Sequence, residues 1–303
     1  MENKRIIKTK KKIRVYSCSF GAEILFLEVY IHRMRKGSIM FKGAIHLHSV
    51  YSDGEFTLAE LRDALVAAGC SFACMTDHAE YFDRLMTRDY VADLASLSDD
   101  RFQFIPGFEY SCYRGMHVLG LGVTEAAGTQ DPQEVIRLTR ERGGVSIIAH
   151  PKDEFFGWIE TFGELPDGIE TWNSKYDGRY APRAATFQLL ERLRRRKPEM
   201  RAYYGIDLHW RRQYRGLLNL ARCQSNSLEE ILGAFARGDY QGVKDDLALP
   251  SDGRLPVSLL ASFEAAHARS DHMRRAAKVL KRALKRCGVN VPAPLKSQLR
   301  RIF

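Results

Sequence analysis

Short apolar runs alternate with segments that carry helix-capping signals between residues 43 and 245 of this chain. Seven of the runs predict strands: 44–47, 72–75, 102–105, 118–121, 145–149, 168–172 and 202–206. Strands that alternate with helices in this way are typical of a parallel sheet or barrel. Seven strands in one continuous stretch favour a barrel, and barrel enzymes place their chemistry at the carboxyl ends of the strands.

Capping residues mark the ends of helices between these runs. Thr57 and Glu60 form the spacing of a capping box, and Ser227 and Glu230 repeat it near the end of the stretch. Gly238 then predicts the end of that last helix. The local signals therefore agree with the alternation of strands and helices.

The charge of the chain is unevenly distributed. Its net charge is +10, but residues 1–42 carry +8, residues 268–303 carry +10 and the segment between them carries −8. We predict a basic N-terminal extension (1–39), a barrel (40–250) and a basic helical C-terminal tail (251–303) with a long helix at 259–287. An acidic centre is typical of a domain that collects cations, whereas basic ends indicate nucleic acid or an anionic surface as a partner. The alternative for the basic ends is that they are solvated tails, and for the C-terminal helix that it packs on the barrel. For the N-terminal extension, a further alternative is that translation starts at Met34 or Met40.

Cysteine usage and hydropathy bear on the compartment. Six cysteines are scattered without a Cys-x-x-Cys pair, which predicts reduced thiols and a cytoplasmic protein. The most apolar early run, residues 24–31, is too short to span a bilayer and contains Glu28. We therefore expect no transmembrane segment. A secretory signal is not expected either, because no small-residue cleavage site follows that run.

Histidine, aspartate and glutamate recur at the ends of the apolar runs or in the loops after them. The candidate metal ligands are His46, His48, Asp53, His78, Glu109, His117, His150, Asp207 and His209. The first two histidines are two positions apart, so a strand would direct both side chains to one side. Neutral imidazoles and carboxylates are the ligands that Zn, Mn or Fe ions require. Nine ligands exceed the needs of one ion, and two or three divalent ions are therefore expected.

Eight of these nine residues occur in motifs that resemble those of the PHP (polymerase and histidinol phosphatase) family of metal-dependent phosphoesterases. The motifs are His46-Leu-His48, Ser52-Asp53-Gly54, Thr76-Asp77-His78, Glu109, His150-Pro151 and Asp207-Leu-His209. They cover roughly residues 43–245 and are specific in combination. The resemblance implies an α/β fold, a distorted (β/α)7 TIM-like barrel with up to three metals. Leu208 is a departure, because many members have a small residue there.

The resemblance also implies which residues share an ion. It assigns the ligands to three overlapping sets: His46, His48, Glu109 and Asp207; Glu109, His117 and His150; and Asp53, His78 and His209. Glu109 would bridge the first two ions. Glu109, Asp53 and His78 are the residues expected to act in catalysis.

The expected reaction is hydrolysis of a small phosphomonoester or a nucleotide through a metal-bridging hydroxide. Bound ions lower the pKa of water and neutralise charge on the phosphoryl oxygens, so no serine or cysteine nucleophile is needed. The basic residues expected to bind the phosphate are Lys152, Lys175, Arg179 and Arg211. Two other functions stay open. One is a nuclease or exonuclease acting on oligonucleotides held by the basic ends, and the other is a regulatory PHP-like module without turnover.

Overall fold

The computed structural model describes residues 39–178 and 181–286. Three of the predicted features lie outside the described residues: Arg179, residues 1–38 of the extension and the end of the tail. The described strands are β1 (Ile39–Leu47), β2 (Phe72–Met75), β3 (Asp77–His78), β4 (Gln103–Ile105), β5 (Gly107–Ser111), β6 (His117–Leu121), β7 (Val145–Ala149), β8 (Gly168–Asn173), β9 (Arg201–Gly205), β10 (Leu218–Cys223), β11 (Tyr240–Lys244) and β12 (Leu247–Pro250). The helices are α1 (Leu58–Ala67), α2 (Arg84–Ser96), α3 (Pro132–Glu141), α4 (Phe156–Ile159), α5 (Ala184–Arg194), α6 (Leu228–Arg237) and α7 (Val257–Arg286). The fold is thus a mixed α/β fold.

The strands form two six-stranded sheets. The first has the order β12-β11-β10-β1-β2-β4, and the second has the order β3-β5-β6-β7-β8-β9. Each of the seven runs that predicted a strand falls on one of these strands, so that prediction is confirmed. These runs are apolar because most of their side chains are buried, as in β2 and β7, where every residue is buried.

The prediction of parallel pairing is wrong for β6 and for the end of the first sheet. β6 pairs antiparallel with both β5 and β7. A single 3₁₀ turn joins β5 to β6, and a connection of that length can form a hairpin but not a parallel crossover. β10, β11 and β12 also pair antiparallel, and they extend the first sheet beyond β1.

Backbone hydrogen bonds join β1 to the segment after β9. The amide of Ile206 donates to the carbonyl of Ile45 at 3.0 Å, and the amide of Leu208 donates to the carbonyl of His46 at 3.2 Å. His48 returns a bond from its amide to the Leu208 carbonyl at 3.0 Å. We name this junction the β1 seam. It brings strand ends of the two sheets together beside the candidate ligands.

The predicted helix ends are confirmed by the caps. Thr57 accepts a bond from the Glu60 amide, and the Glu60 side chain returns a bond to the Thr57 amide, which completes the capping box of α1. Ser227 caps α6 in the same position, and Gly238 ends it with φ at 78°, a conformation that favours glycine. The caps thus fix where α1 and α6 begin.

The long C-terminal helix predicted at 259–287 is confirmed as α7, within two residues at its start and over its described part at the end. Phe263 on its first half is buried, and the His267 ring shares one N–H between the carbonyls of Ala181 and Pro182, both at 3.0 Å. The start of α7 is therefore packed on the segment before α5. Neither α7 nor any other helix of the described chain is long and apolar enough to cross a membrane.

Candidate metal centre

The nine predicted ligands lie together at one rim of the sheets. Most of them end a strand or follow it, as His78 does in β3 and His150 does after β7. His117 instead opens its strand, and it reaches the same rim because β6 runs antiparallel to its neighbours. The reversed strand is therefore the reason that a residue at a strand start can join residues at strand ends.

Glu109 occupies the middle of this cluster. Its Oε2 lies 3.2 Å from the Nε2 atoms of both His46 and His48. Its Oε1 lies 2.7 Å from His117 Nδ1 and 3.1 Å from His150 Nε2. The two oxygens of one carboxylate thus face two different pairs of imidazoles.

A second carboxylate organises the more exposed side of the cluster. Asp53 Oδ2 lies 3.2 Å from His209 Nε2, and its Oδ1 lies 3.7 Å from His48 Nδ1 and 3.8 Å from His78 Nε2. Asp207 Oδ1 lies 3.1 Å from the other ring nitrogen of His209. His209 therefore connects the Asp53 side of the cluster to the Asp207 side.

Four overlapping groups in the cluster have ligand atoms close enough to hold an ion. In each group one ligand atom per residue lies within 4.8 Å of the others: His48, Asp53, His78 and His209; His46, His150 and Asp207; His46, His48 and Glu109; and Glu109, His117 and His150. Such a set of imidazoles and carboxylates suits divalent ions.

The charges of the cluster are strongly coupled. Burial alone would lower the pKa of His46, but the carboxylates of Glu170, Glu109 and Asp207 outweigh it and raise that pKa well above its usual value. Burial would raise the pKa values of Glu109 and Asp207, yet the neighbouring imidazoles hold both well below their ordinary range. The carboxylates are therefore ionised, as ligands of a cation must be.

His48 shows that the residues present fit a cation. Its side chain is fully buried, and neither of its ring nitrogens has a partner in hydrogen-bond geometry. Burial lowers its pKa to about 4, so the ring is neutral at physiological pH. A buried polar group without a partner is costly, and a neutral imidazole that lacks one has a lone pair available for a metal ion.

The backbone of the cluster is strained at three ligands. His46, His150 and Asp207 have φ values of 68°, 28° and 50°, in the region that L-residues seldom adopt. Strain of this kind persists where the surrounding structure holds it, and it is common at functional sites. At His46 it coincides with an irregularity in the β1–β2 pairing between Ile45 and Leu47. The regular alternation expected for His46 and His48 is thus interrupted, although both rings face Glu109.

Glu170 and Asn173 were not among the predicted ligands, yet both are buried beside the cluster. His46 Nδ1 donates to Glu170 Oε1 at 2.8 Å, and the His150 amide donates to Glu170 Oε2 at 2.9 Å. Asn173 Nδ2 donates to Glu170 Oε2 at 2.9 Å and to Asp207 Oδ2 at 3.1 Å. Gly205 makes room for this carboxylate, because a Cβ there would overlap it. The available sequence signal was that Glu170 lies within a predicted strand and Asn173 directly follows it.

Another buried carboxylate shapes the loop that carries His48 and Asp53. Asp77 accepts bonds from the Ser49 amide at 2.7 Å, from the Ser49 hydroxyl at 3.0 Å and from the Ser52 hydroxyl at 2.7 Å. Gly54 closes the loop, and a Cβ at that position would overlap the His48 carbonyl. The Ser52-Asp53-Gly54 motif thus has a structural reason for each of its residues.

The predicted phosphate-binding residues have different surroundings. Lys175 Nζ lies 2.9 Å from Asp207 Oδ1 and 3.3 Å from His209 Nδ1, within the cluster. Lys152 is largely exposed, with its Nζ 3.9 Å from Glu154 Oε1, and Arg211 donates to Glu60 Oε1 at 2.5 Å. The structure thus brings Lys175 to the candidate ligands, whereas the contacts of Lys152 and Arg211 are with surface carboxylates.

The fold is shared with PHP-like proteins. A two-domain protein from Bacteroides vulgatus that contains a predicted PHP-like metal-dependent phosphoesterase matches with a TM-score of 0.53 and 16% identity, over 71% of this chain and 67% of that one. An amidohydrolase from Chromobacterium violaceum matches with a TM-score of 0.41 and 16% identity, over 56% of this chain and 88% of that one. The resemblance to the PHP family is confirmed at the level of the fold.

The chain also has a relative by sequence. The DNA polymerase/3′-5′ exonuclease PolX of Bacillus subtilis is 29% identical over 159 residues, which are 45% of this chain and 28% of that protein. This chain therefore matches less than a third of the length of that relative. No protein-family model matches the chain.

Proposed function

We propose that the chain is a metal-dependent phosphoesterase that hydrolyses a small phosphomonoester or a nucleotide. The observation that supports this most is the position of Glu109, whose two oxygens each face a pair of buried imidazoles. A carboxylate so placed is suited to bridge two cations. The similarity to PHP-like phosphoesterases supports the same reaction class.

The proposed ions are two or three divalent cations, Mn, Fe or Zn. Glu109, His117 and His150 form one of the geometric groups and correspond to the second ion of the family pattern. Asp53, His78 and His209 form another together with His48, and they correspond to the third ion. His46, His48, Glu109 and Asp207 are proposed for the first ion, since these residues are divided between two overlapping groups.

The chemistry needs both the ions and the chain. Divalent ions bound here would lower the pKa of a bound water from about 15.7 to near 7 and offset negative charge on the phosphoryl oxygens. Lys175 is proposed to bind a phosphoryl oxygen, because its ammonium already lies between Asp207 and His209. Asp53, the most exposed of the nine ligands, is proposed with His78 to face the substrate.

The two sheets are proposed to form a single distorted (β/α)7 barrel. The β1 seam supports this, because it joins β1 to the segment after β9. β2 and β4 of the first sheet are each followed, one residue later, by β3 and β5 of the second. The seven strands of that barrel would then be β1, the pairs β2–β3 and β4–β5, and β6 to β9.

A nuclease is the second candidate function. The similarity to an exonuclease of Bacillus subtilis favours it, and the basic residues of 1–39 and 251–303 would then hold nucleic acid, or an anionic surface. The cytoplasmic location predicted from the cysteines stays a prediction.

Replacement of Glu109 tests the proposal. Glu109→Gln should lower turnover of a phosphomonoester by several orders of magnitude, because the proposed bridge loses its charge. Glu141→Gln, on the exposed side of α3, is the matched control and should keep turnover.

Elemental analysis after reconstitution with Mn, Fe or Zn should give two or three ions per chain. Fewer than one ion per chain would contradict the proposal. Stoichiometric metal without hydrolysis of phosphomonoesters or oligonucleotides would also contradict it, and would support the regulatory alternative.

A further inference from the structure

The exposed aromatic residues of the described part of the chain follow strands that carry or adjoin candidate ligands. Within residues 39–178 and 181–286, the exposed aromatic side chains are Tyr81, Tyr113, Tyr176, Trp210 and Tyr214, with exposed fractions between 37% and 55%. Tyr81 and Tyr113 lie in 3₁₀ turns that follow β3 and β5, Tyr176 follows β8, and Trp210 and Tyr214 lie between β9 and β10. Exposed apolar surface that is grouped rather than scattered commonly marks a binding site.

Three of these rings contact candidate ligands directly. The centroids of Tyr176 and His150 are 4.4 Å apart with planes at 36°. Trp210 lies 5.7 Å from His209, and Tyr81 lies 6.3 Å from His78. We name Tyr81, Tyr176 and Trp210 the aromatic rim. Each ring packs against an imidazole of the cluster and still has a large exposed surface.

Cationic groups accompany two members of the aromatic rim. Lys175 Nζ lies 5.1 Å from the centroid of Tyr176, and the same ammonium lies 3.3 Å from His209 Nδ1. The guanidinium carbon of Arg212 lies 5.4 Å from the centroid of Trp210. Each of these two rings therefore has its own cationic group, and the one beside Tyr176 is Lys175, the residue proposed to bind a phosphoryl oxygen.

These rings are not part of the buried core, because more than a third of each residue is exposed. An aliphatic phosphate ester would have no planar face to offer them. A nucleotide has both a phosphate and a planar base, and bases stack on exposed aromatic side chains with little dependence on sequence. Exposed rings beside a positive charge match that combination.

We propose that Tyr176 and Trp210 stack on the base of a nucleotide whose phosphoester lies at the metal cluster. This inference rests on the proposed phosphoesterase function and names the substrate class of the same site. Tyr176 and Trp210 would then favour nucleotides over sugar phosphates, because an ester without a base lacks the stacking contact.

A matched pair of substrates tests this proposal in the metal-loaded full-length protein. Adenosine 5′-monophosphate and ribose 5-phosphate have the same ester bond, and they differ in the base. The wild type should have the higher kcat/KM for the nucleotide. Tyr176→Ala and Trp210→Ala should each lower the ratio of the two kcat/KM values about 5- to 100-fold. Tyr176→Phe and Trp210→Phe should keep the ratio, because a planar ring remains.

Val257→Ala is the control, since Val257 is the most exposed of the large apolar residues described and lies at the start of α7, outside the rim. That variant should leave the ratio unchanged. A wild type with equal kcat/KM for both substrates, or alanine variants with the wild-type ratio, would overturn the proposal.

Binding of adenosine separates failure of this inference from failure of the proposed function. Adenosine has no phosphate, so its binding by equilibrium dialysis does not depend on hydrolysis. Binding that is lost in Tyr176→Ala and Trp210→Ala but kept in the phenylalanine variants would support base stacking even if no phosphoester were hydrolysed. Hydrolysis of both esters without adenosine binding would support the phosphoesterase function and overturn the proposal that Tyr176 and Trp210 stack on the base.

Discussion

The orientation of the ligand histidines depends on a residue outside the ligand set. Glu170 accepts from His46 Nδ1 and thereby directs Nε2 of that ring toward Glu109. It also accepts from the His150 amide, at a backbone position with positive φ. Carboxylates that orient metal-binding histidines in this way commonly affect metal affinity as well as geometry.

Glu170→Gln should therefore weaken binding of Zn or Mn by about 10- to 100-fold. The amide can present a donor where the carboxylate presented an acceptor, which favours the other tautomer of His46. Isothermal titration calorimetry measures the affinity, and ¹⁵N chemical shifts of the His46 ring report the tautomer. Glu164→Gln, at the surface, is the control. Unchanged affinity together with an unchanged tautomer would show that Glu170 does not orient His46.

The buried carboxyl of Asp177 should make the free energy of unfolding depend on pH. Burial raises its pKa to about 7, against the lowering effect of its bond from the Asn173 amide. Because the folded pKa lies above the unfolded value of about 3.9, its contribution to stability is complete below about pH 4 and is lost as pH rises through 7. Urea denaturation with chelator present should show less loss between pH 5 and 8 in Asp177→Asn than in wild type. Asp246→Asn, which is exposed, should behave as wild type, and a parallel loss in all three proteins would contradict this prediction.

The clustering of the nine candidate ligands could be predicted from sequence, because most of them lie in short motifs or at strand ends that bring imidazoles and carboxylates together. Glu170 and Asn173 could not, because their role is set by residues distant in sequence. Glu170 meets His46 from β1 and His150 from the loop after β7. A single sequence does not show which buried carboxylate will face which imidazole.

At the scale of elements, the capping box of α1 gives a direct test of local stability. Thr57→Ala removes the acceptor for the Glu60 amide and should lower the free energy of unfolding by about 1 kcal/mol. Thr57→Ser keeps a hydroxyl at the same position and should preserve most of the stability. Chemical denaturation of the three proteins measures the difference. Equal loss in both variants would indicate that the methyl group of Thr57, rather than its hydroxyl, is what stabilises the helix.

The sequence predicted where strands occur better than how they pair. Apolar runs report burial, and burial is similar in parallel and antiparallel strands. The reversal of β6 follows from the short turn after β5, which the run pattern alone does not encode. β11 and β12 were not predicted, because neither is a continuous buried run: β11 alternates buried with half-buried residues, and β12 buries only one of its four residues. The irregularity at His46 likewise depends on pairing with β2.

At the scale of the whole molecule, the basic ends should serve binding rather than chemistry. The predicted division into an extension, a barrel and a tail stays a prediction, but Phe263 and His267 are packed against the rest of the chain. A shortened protein should therefore keep α7 and end after Arg286, not after residue 250.

A protein of residues 39–286 should hydrolyse a small phosphoester at the wild-type rate, because the removed segments contain no candidate ligand. Its association with an oligonucleotide should weaken and should depend less steeply on salt, since fewer cationic side chains remain to neutralise phosphates. Fluorescence anisotropy at several salt concentrations measures this, and the full-length protein is the reference. A loss of phosphoester hydrolysis in a shortened protein that remains folded would assign the termini a part in the reaction.

The β1 seam also determines when the metal cluster can exist during folding. It joins a strand at the start of the described chain to a segment that follows β9, so its bonds form only after a very long loop has closed. His46 and His48 lie on one side of the seam, and Asp207 and His209 lie on the other. A partly folded chain that has yet to close this loop lacks a complete ligand set, so tight metal binding should follow the closure of the loop.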